Sequence, residues 1–365
     1  MSGVTSCRAI DTPVALILFN RPEQITAVVA AIRPSAPHQV FAIADGPRDG
    51  HPTDRERCAA ARAALDAIDW PCEVVREFAS ENLGCSARIE SGLDGIFARV
   101  DRAIVLEDDT LPSDSFLPWI ESALEAWSGD PDFAFATGFN ALGTWGETAA
   151  SHFCASKGRT LGWATTSTAW RRMRAIDLAS YQHEFGRLAR ERGLDPIVAE
   201  QCEVVIGECL RGDPTNWDRL LRARAIAAGM FTVISSANLV ANTGIGLDAT
   251  HTTDLDEFTN FLPARSAGPV SDRGSAAIDS EYDRRAVLLE LLGLSLRPEV
   301  AARLARAFRE NPALPIDRLT RLHLQPFLHP QLSIEVLEHL RRGGVASQRL
   351  ERVLAVLQQL VAERR

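Results

Sequence analysis

Ala103-Ile104-Val105-Leu106-Glu107-Asp108-Asp109 runs from four apolar residues straight into three carboxylates. Consecutive apolar side chains suit a strand covered on both faces, as in a parallel sheet. Open α/β sheets bind ligands at the carboxyl ends of their strands, so the carboxylates stand where a site belongs. Like charges at the end of an apolar strand repel and lose solvation. A divalent cation relieves that repulsion. Carboxylate oxygens suit Mg²⁺ or Mn²⁺, above all when a diphosphate supplies further oxygens. The plainer alternative is an acidic turn ahead of a helix capped by Ser113.

The flanking sequence alternates strand and helix patterns. Val14-Ala15-Leu16-Ile17-Leu18-Phe19 is a second buried run, closed by Asn20-Arg21-Pro22, and helical spacing follows to Ile32. Val40–Ala44 reads as a strand stopped by Asp45-Gly46-Pro47, then a helix from Thr53 or Asp54 to about Ile68, then a strand over Cys72–Phe78. Ile89, Leu93, Ile96, Phe97 and Val100 share one helix face before the acidic strand. Phe116 to Trp127 carries another apolar stripe, and Phe133–Thr137 reads as a fifth strand. This alternation predicts an α/β fold, a mostly parallel sheet with helices on both faces. The segment from Gly138 to Asp218 is less regular and holds four of the seven tryptophans. A helix over Trp217–Ala228 and a short strand at Thr232–Ile234 complete the pattern. After a polar stretch ending near Ser275, only helical periodicity remains. The expected division is a catalytic domain over residues 1–265 and a helical domain over 280–365.

The 365 residues are 46% hydrophobic and 24% charged, which excludes a disordered or fibrous chain. A net charge of −9 argues against broad contact with nucleic acid. All but one of the 39 basic residues are arginine, the exception being Lys157. No run of 18 apolar residues predicts a membrane span, and Met1–Ile10 lacks a secretory pattern. Seven cysteines without a C-x-x-C pair favour buried, reduced thiols and a cytoplasmic protein.

Ile104–Asp109 followed by Leu111-Pro112-Ser113 resembles the DXD-type segment of GT-A glycosyltransferases. In particular it resembles the Glu-Asp-Asp segment of the N-acetylglucosaminyltransferase I family and of a related bacterial group of sugar transferases. Further matches keep the family's order: Phe19-Asn20-Arg21-Pro22, Ala44-Asp45-Gly46, Asn82-Leu83-Gly84, Gly162-Trp163-Ala164-Thr165 with Ala169-Trp170, and Asn216-Trp217-Asp218. Asn238-Leu239-Val240 with Asn242 and Gly244, then Asp248-Ala249-Thr250-His251-Thr252, resembles the closing motif of the bacterial group. The likeness spans residues 13 to 253. Arg219-Leu220-Leu221 stands where the bacterial group carries aromatic residues, and the helical C-terminus has no counterpart.

The resemblance implies an inverting, metal-dependent transferase that moves a hexosyl or N-acetylhexosaminyl group from a UDP-sugar to an acceptor hydroxyl. Arg21 and Asp45 would contact the base, alongside Asn20. Asp108 would meet ribose or a metal-bound water, and Asp109 would bind Mn²⁺ or Mg²⁺, joined by His251. Lys157 and Arg159 would close over the diphosphate. Trp163 would wall the sugar, and Asn140 would bond one of its hydroxyls. Asp218 would be the base. The acceptor would be a glycan, a lipid-linked glycan or a protein, and the C-terminal helices would serve oligomerisation or docking. Two other readings stay open: a scaffold that keeps the nucleotide-sugar fold without turnover, and a sugar nucleotidyltransferase. The latter wants a basic glycine-rich loop after the first strand, where Asn20-Arg21-Pro22-Glu23 stands instead.

Overall fold

The structure is a computed structural model. It describes residues 10–363 except 147–149, 182–184, 186, 188–190, 212–216, 245–257, 259–261, 295–296 and 346. Eight strands form one mixed, largely parallel sheet in the order β3-β2-β1-β4-β8-β6-β9-β7. They are β1 Val14–Leu18, β2 Gln39–Ala44, β3 Glu73–Phe78, β4 Arg102–Glu107, β6 Phe133–Thr137, β7 His152–Ala155, β8 Trp163–Thr166 and β9 Phe231–Ser235. β1 through β4 are parallel, β8 runs antiparallel between β4 and β6, and β9 is parallel to β6 and antiparallel to β7. Short strands β5 Thr110–Pro112 and β10 Val240–Asn242 pair separately.

Alternation along each strand splits the core between the two faces. Val14, Leu16, Val40, Ala42, Ile104 and Leu106 point to one face, where α1 Pro22–Ile32 and α4 Phe116–Trp127 pack. Ala15, Ile17, Phe41, Ile43, Ala103 and Val105 point to the other, against α3 Cys85–Phe97, α5 Ser167–Arg174 and the helix Trp217–Ala227. β1, β2, β4 and β6 are buried on both faces, which is why their sequences are nearly continuous apolar runs, whereas the edge strand β3 is only partly covered and carries Glu73, Arg76 and Glu77.

The change of composition near Ser280 does not mark a break in packing. Tyr282, Leu289, Leu292, Leu337, Leu350 and Leu357 join the same core cluster as β1 and α1. The helix Ser280–Leu294 is stitched to the sheet by polar contacts as well. The Tyr282 hydroxyl accepts from the Ala141 amide at 3.1 Å, and the Asp283 carboxylate accepts from the Ser156 and Lys157 amides at 2.9 Å. The Trp145 indole donates to Asp279 at 2.7 Å. A chain ending at Asp279 should therefore fail to reach a cooperative, soluble fold, since it would expose that apolar face and orphan these amides. Soluble expression and a thermal unfolding transition check this. A native-like transition would show that the helices are a removable appendage.

Candidate active site

The carboxyl ends of β1, β2 and β4 and the N-terminus of α3 surround one cavity of about 270 Å³. Its position follows from topology, because side chains leaving parallel strands at the same end converge there. Asn20, Arg21, Asp45, Asp108 and Asp109 all line it, together with Glu107.

The acidic side is short of positive charge. Arg21 Nη1 bridges Asp108 Oδ1 at 3.3 Å and Asp109 Oδ2 at 2.9 Å. The Phe19 amide donates to Asp108 Oδ2 at 3.1 Å. Burial and then the charge of Asp109 nevertheless push the Asp108 carboxyl up to about 7, against the pull of Arg21. Glu107 is raised well above the usual range by burial, then by Asp109, Asp218 and Asp108. Asp218 thus belongs to the same field: it sits in the first turn of the helix Trp217–Ala227, and its charge reaches Glu107. Glu107, Asp108 and Asp109 meet at this cavity, and among the described residues Arg21 is the one cation in contact with both aspartates.

These shifts have a direct thermodynamic consequence. Asp108 and Glu107 hold protons more tightly folded than unfolded, so the folded state binds more protons between about pH 4 and 7. Stability is then highest below their ordinary range and falls as pH rises through it. For Asp108 alone, a rise to about 7 is worth on the order of 4 kcal/mol. Thermal unfolding in chelator should show the unaltered protein losing more stability between pH 5 and 7.5 than Asp108→Asn does. Equal losses would contradict the assigned shift.

A divalent cation fits this donor set in one form only. Among the described residues, no three ligating side chains converge as a cage. Asp109 Oδ1 takes no hydrogen bond among the described residues, so Asp109 offers one free oxygen beside uncompensated charge. That suits an ion that keeps waters and takes oxygens from a diphosphate. Gly244 packs onto Asp109, where a Cβ would lie 2.3 Å from Oδ2. Thr243 donates its amide to the Asp109 carbonyl at 2.8 Å. His251, seven positions beyond Gly244, lies outside the described residues, as do Asn216 and Asp248 to Thr252.

Asp45 lines the cavity but is fully engaged. Oδ1 accepts from the Gly46 and Leu83 amides at 2.8 and 2.9 Å, and Oδ2 accepts from Asn82 Nδ2 and the Gly84 amide at 3.1 and 3.0 Å. A carboxylate has about four acceptor sites, so none is left for a base. Asp45 instead clamps the Asn82–Gly84 turn onto the end of β2. Gly46 is required there because a Cβ would come within 2.3 Å of the Glu81 carbonyl carbon.

Sequence reasoning missed a second clamp. Asp54, buried at the start of the helix Asp54–Ala63, accepts from Arg48 Nε at 2.6 Å, Arg48 Nη2 at 3.0 Å and Asn20 Nδ2 at 2.9 Å. Its side-chain bonds to Arg48, aided by Asn20, hold its carboxyl down to about 2 despite burial. The Arg48 guanidinium lies over the Phe19 ring, 5.2 Å from its centroid. The available signal was a polar loop at the end of a buried strand, with Arg and Asp six positions apart.

Three expected contacts fall elsewhere. Asn140 is wholly buried and holds loops together, donating to the Ser235 and Ser236 carbonyls at 2.9 and 3.3 Å and accepting from the Leu142 amide. Lys157 is buried against Glu290 and Gln201, away from the cavity lining. Trp163 has no exposed surface and packs among Phe135, Trp170 and Trp217 at ring separations of 5.7–6.4 Å. It is core, and the cavity does not reach it. Arg159 lies over the Phe139 ring at 5.6 Å. Compared with known proteins, the chain matches no family model and no curated protein.

Proposed function

We propose that this chain is a GT-A-type glycosyltransferase that uses a nucleotide-sugar donor. The observation that carries the reading is the gathering of Glu107, Asp108, Asp109 and Arg21 around one cavity at the strand ends, with the charge of Asp218 felt at Glu107. Such a cavity favours a ligand that brings cations with it, as a metal-bound diphosphate does. A divalent ion held by Asp109 would supply neutralisation of the leaving diphosphate. Arg21, already between the two aspartates, adds a fixed positive charge at the same place.

The base would stack at the Phe19–Arg48 pair, since a guanidinium plane over an aromatic ring is a surface suited to a heterocycle. Asn20 adds selectivity. Its amide nitrogen is fixed by Asp54, leaving its carbonyl oxygen to accept an N–H such as that of uracil. Phe19 joins the two ends of the site, because its amide bonds Asp108 and its ring lies under Arg48. In the transfer step the acceptor oxygen bonds the anomeric carbon. The bond from that carbon to the diphosphate oxygen breaks, its electron pair leaving on the nucleotide, and the acceptor proton passes to Asp218.

Purified protein incubated with a panel of UDP-sugars should release UDP in Mn²⁺ and not in chelator. Absence of release and of UDP binding across the panel would refute the assignment. Arg48→Ala should weaken UDP binding about ten-fold, the scale of one lost stacking contact, while leaving pyrophosphate binding unchanged. Calorimetric titration with both ligands checks this, and equal losses for the two would place the base elsewhere.

A further inference from the structure

The only lysine of the chain lies in the interior, where it ties the helix Ser280–Leu294 to the rest of the fold. Lys157 Nζ donates to Glu290 Oε2 at 3.0 Å and to Gln201. Glu290 is buried on that helix, flanked by buried Leu289 and Leu291. Arg222 lines the same small internal cavity as Lys157 and Glu290 and is itself buried. From there it reaches Asp218: Nη2 meets Asp218 Oδ2 at 3.1 Å, and Nε meets the Asp218 carbonyl at 3.3 Å.

Arg222 therefore pairs with Asp218 in the first turn of its helix while lining the interior cavity that holds Lys157 and Glu290. Burial alone would raise Glu290, but Lys157 and Arg222, then Arg159 and Arg219, bring it well below the usual range. It stays ionised, and a buried guanidinium needs such an anion. An aspartate in the first turn of a helix is otherwise free to swing back and cap its own amides. The contact with Arg222 removes that freedom by occupying Oδ2, which leaves Oδ1 to take a proton.

We propose that Arg222 and Glu290 are positioning residues for Asp218: Arg222 fixes the orientation that presents the free oxygen, and Glu290, from the C-terminal helices, fixes Arg222. The inference rests on the reading of Asp218 as the base. It gives those helices a part in turnover as well as in packing.

The test uses the full chain with UDP-glucose and UDP-N-acetylglucosamine, water serving as acceptor. The water oxygen bonds the anomeric carbon, UDP leaves with the electron pair, and the proton goes to Asp218. Arg222→Gln should lower kcat for donor hydrolysis about ten- to a hundred-fold, the cost of a misplaced reacting group, with an unchanged KM. Arg222→Lys should recover part of the loss. Glu290→Gln should lower kcat in the same direction, and Glu290→Asp, which keeps the charge, should lower it less. In an Asp218→Asn background, Arg222→Gln should add nothing further, as expected for groups acting through one residue. The proposal is overturned if Arg222→Gln and Glu290→Gln lower the melting temperature yet leave kcat intact, or if their effects multiply with that of Asp218→Asn. If Asp218→Asn itself hydrolyses donor at the unaltered rate, the base assignment falls and this proposal with it. If Asp218→Asn is slow and the other two variants are not, only this proposal falls.

Discussion

Asp218→Asn should keep nucleotide binding and lose about 10²–10⁴-fold in turnover, the usual contribution of a general base. An inverting displacement needs a proton acceptor on the face opposite the leaving diphosphate. On the proposed reading Asp108 and Asp109 stand with Arg21 on the side of the leaving diphosphate, so the acceptor needs a carboxylate from another element. Asp218 stands on a different element, the helix Trp217–Ala227, and its charge is felt at Glu107. It also keeps an exposed side: 38% of its side chain is open, against 9% for Arg222. A purely structural Asp218 would be an i,i+4 partner of Arg222, worth roughly 0.3–0.5 kcal/mol at a helix surface. Asparagine retains a carbonyl for Arg222 and caps a helix well, so that role predicts a small stability change and no kinetic one. Initial rates of UDP release, measured beside UDP affinity, separate the two. A folded, UDP-binding Asp218→Asn protein with the unaltered rate would exclude the base role.

Asp109→Ala should lower Mn²⁺-dependent turnover by about 10²–10³-fold, the cost of losing one group that stabilises charge in the transition state. The same substitution should make the metal-free protein more stable near pH 7.5. Asp109 is the first charge, after burial, that raises both Glu107 and Asp108. Without it both ionise more easily, and the penalty that grows with pH shrinks. Opposite signs for activity and stability are what a site built for charge it does not itself balance should give. A loss of both together would mean that Asp109 holds the fold, through Gly244 and Thr243, more than it serves the site. Turnover titrated with Mn²⁺ and thermal unfolding in chelator read the two effects separately.

Strands β1, β2, β4 and β6 were legible because burial on both faces leaves nearly continuous apolar runs, while the part-exposed edge strand β3 mixes Glu73, Arg76 and Glu77 with its apolar residues. β8 was not. Its four residues, Trp163–Thr166, run antiparallel between β4 and β6, and an indole that fills the core has the same sequence signature as one that lines a sugar site. The acidic cluster stood out because carboxylates ending an apolar strand repel and lose solvation, and all three line the cavity. Asp45 shows the limit of that argument: a strand-end aspartate was expected at the cavity and is there, but its four acceptor sites are spent on the Asn82–Gly84 turn. Lys157 was read as a loop cation because Gly158 follows it. Its partner Glu290 is 133 positions away, beyond any local pattern. A carboxylate within Val287-Leu288-Leu289-Glu290-Leu291-Leu292 was the one hint that a buried cation waited elsewhere in the chain.

The shared core of sheet and C-terminal helices also sets an order of events during synthesis. Translation adds about 5–20 residues per second, so the strands and their acidic cavity leave the ribosome several seconds before the helix Ser280–Leu294 can reach them. Through that interval the surface that Tyr282, Leu289 and Leu292 will cover stays wet, and the Ser156 and Lys157 amides await Asp283. Lys157 and Arg222 likewise await the carboxylate of Glu290. The nascent chain should therefore be shielded by chaperones that bind apolar surface until the helices from Ser280 onward arrive. Ribosome-stalled chains ending near residue 275 should be cut readily by protease where the released full-length protein resists.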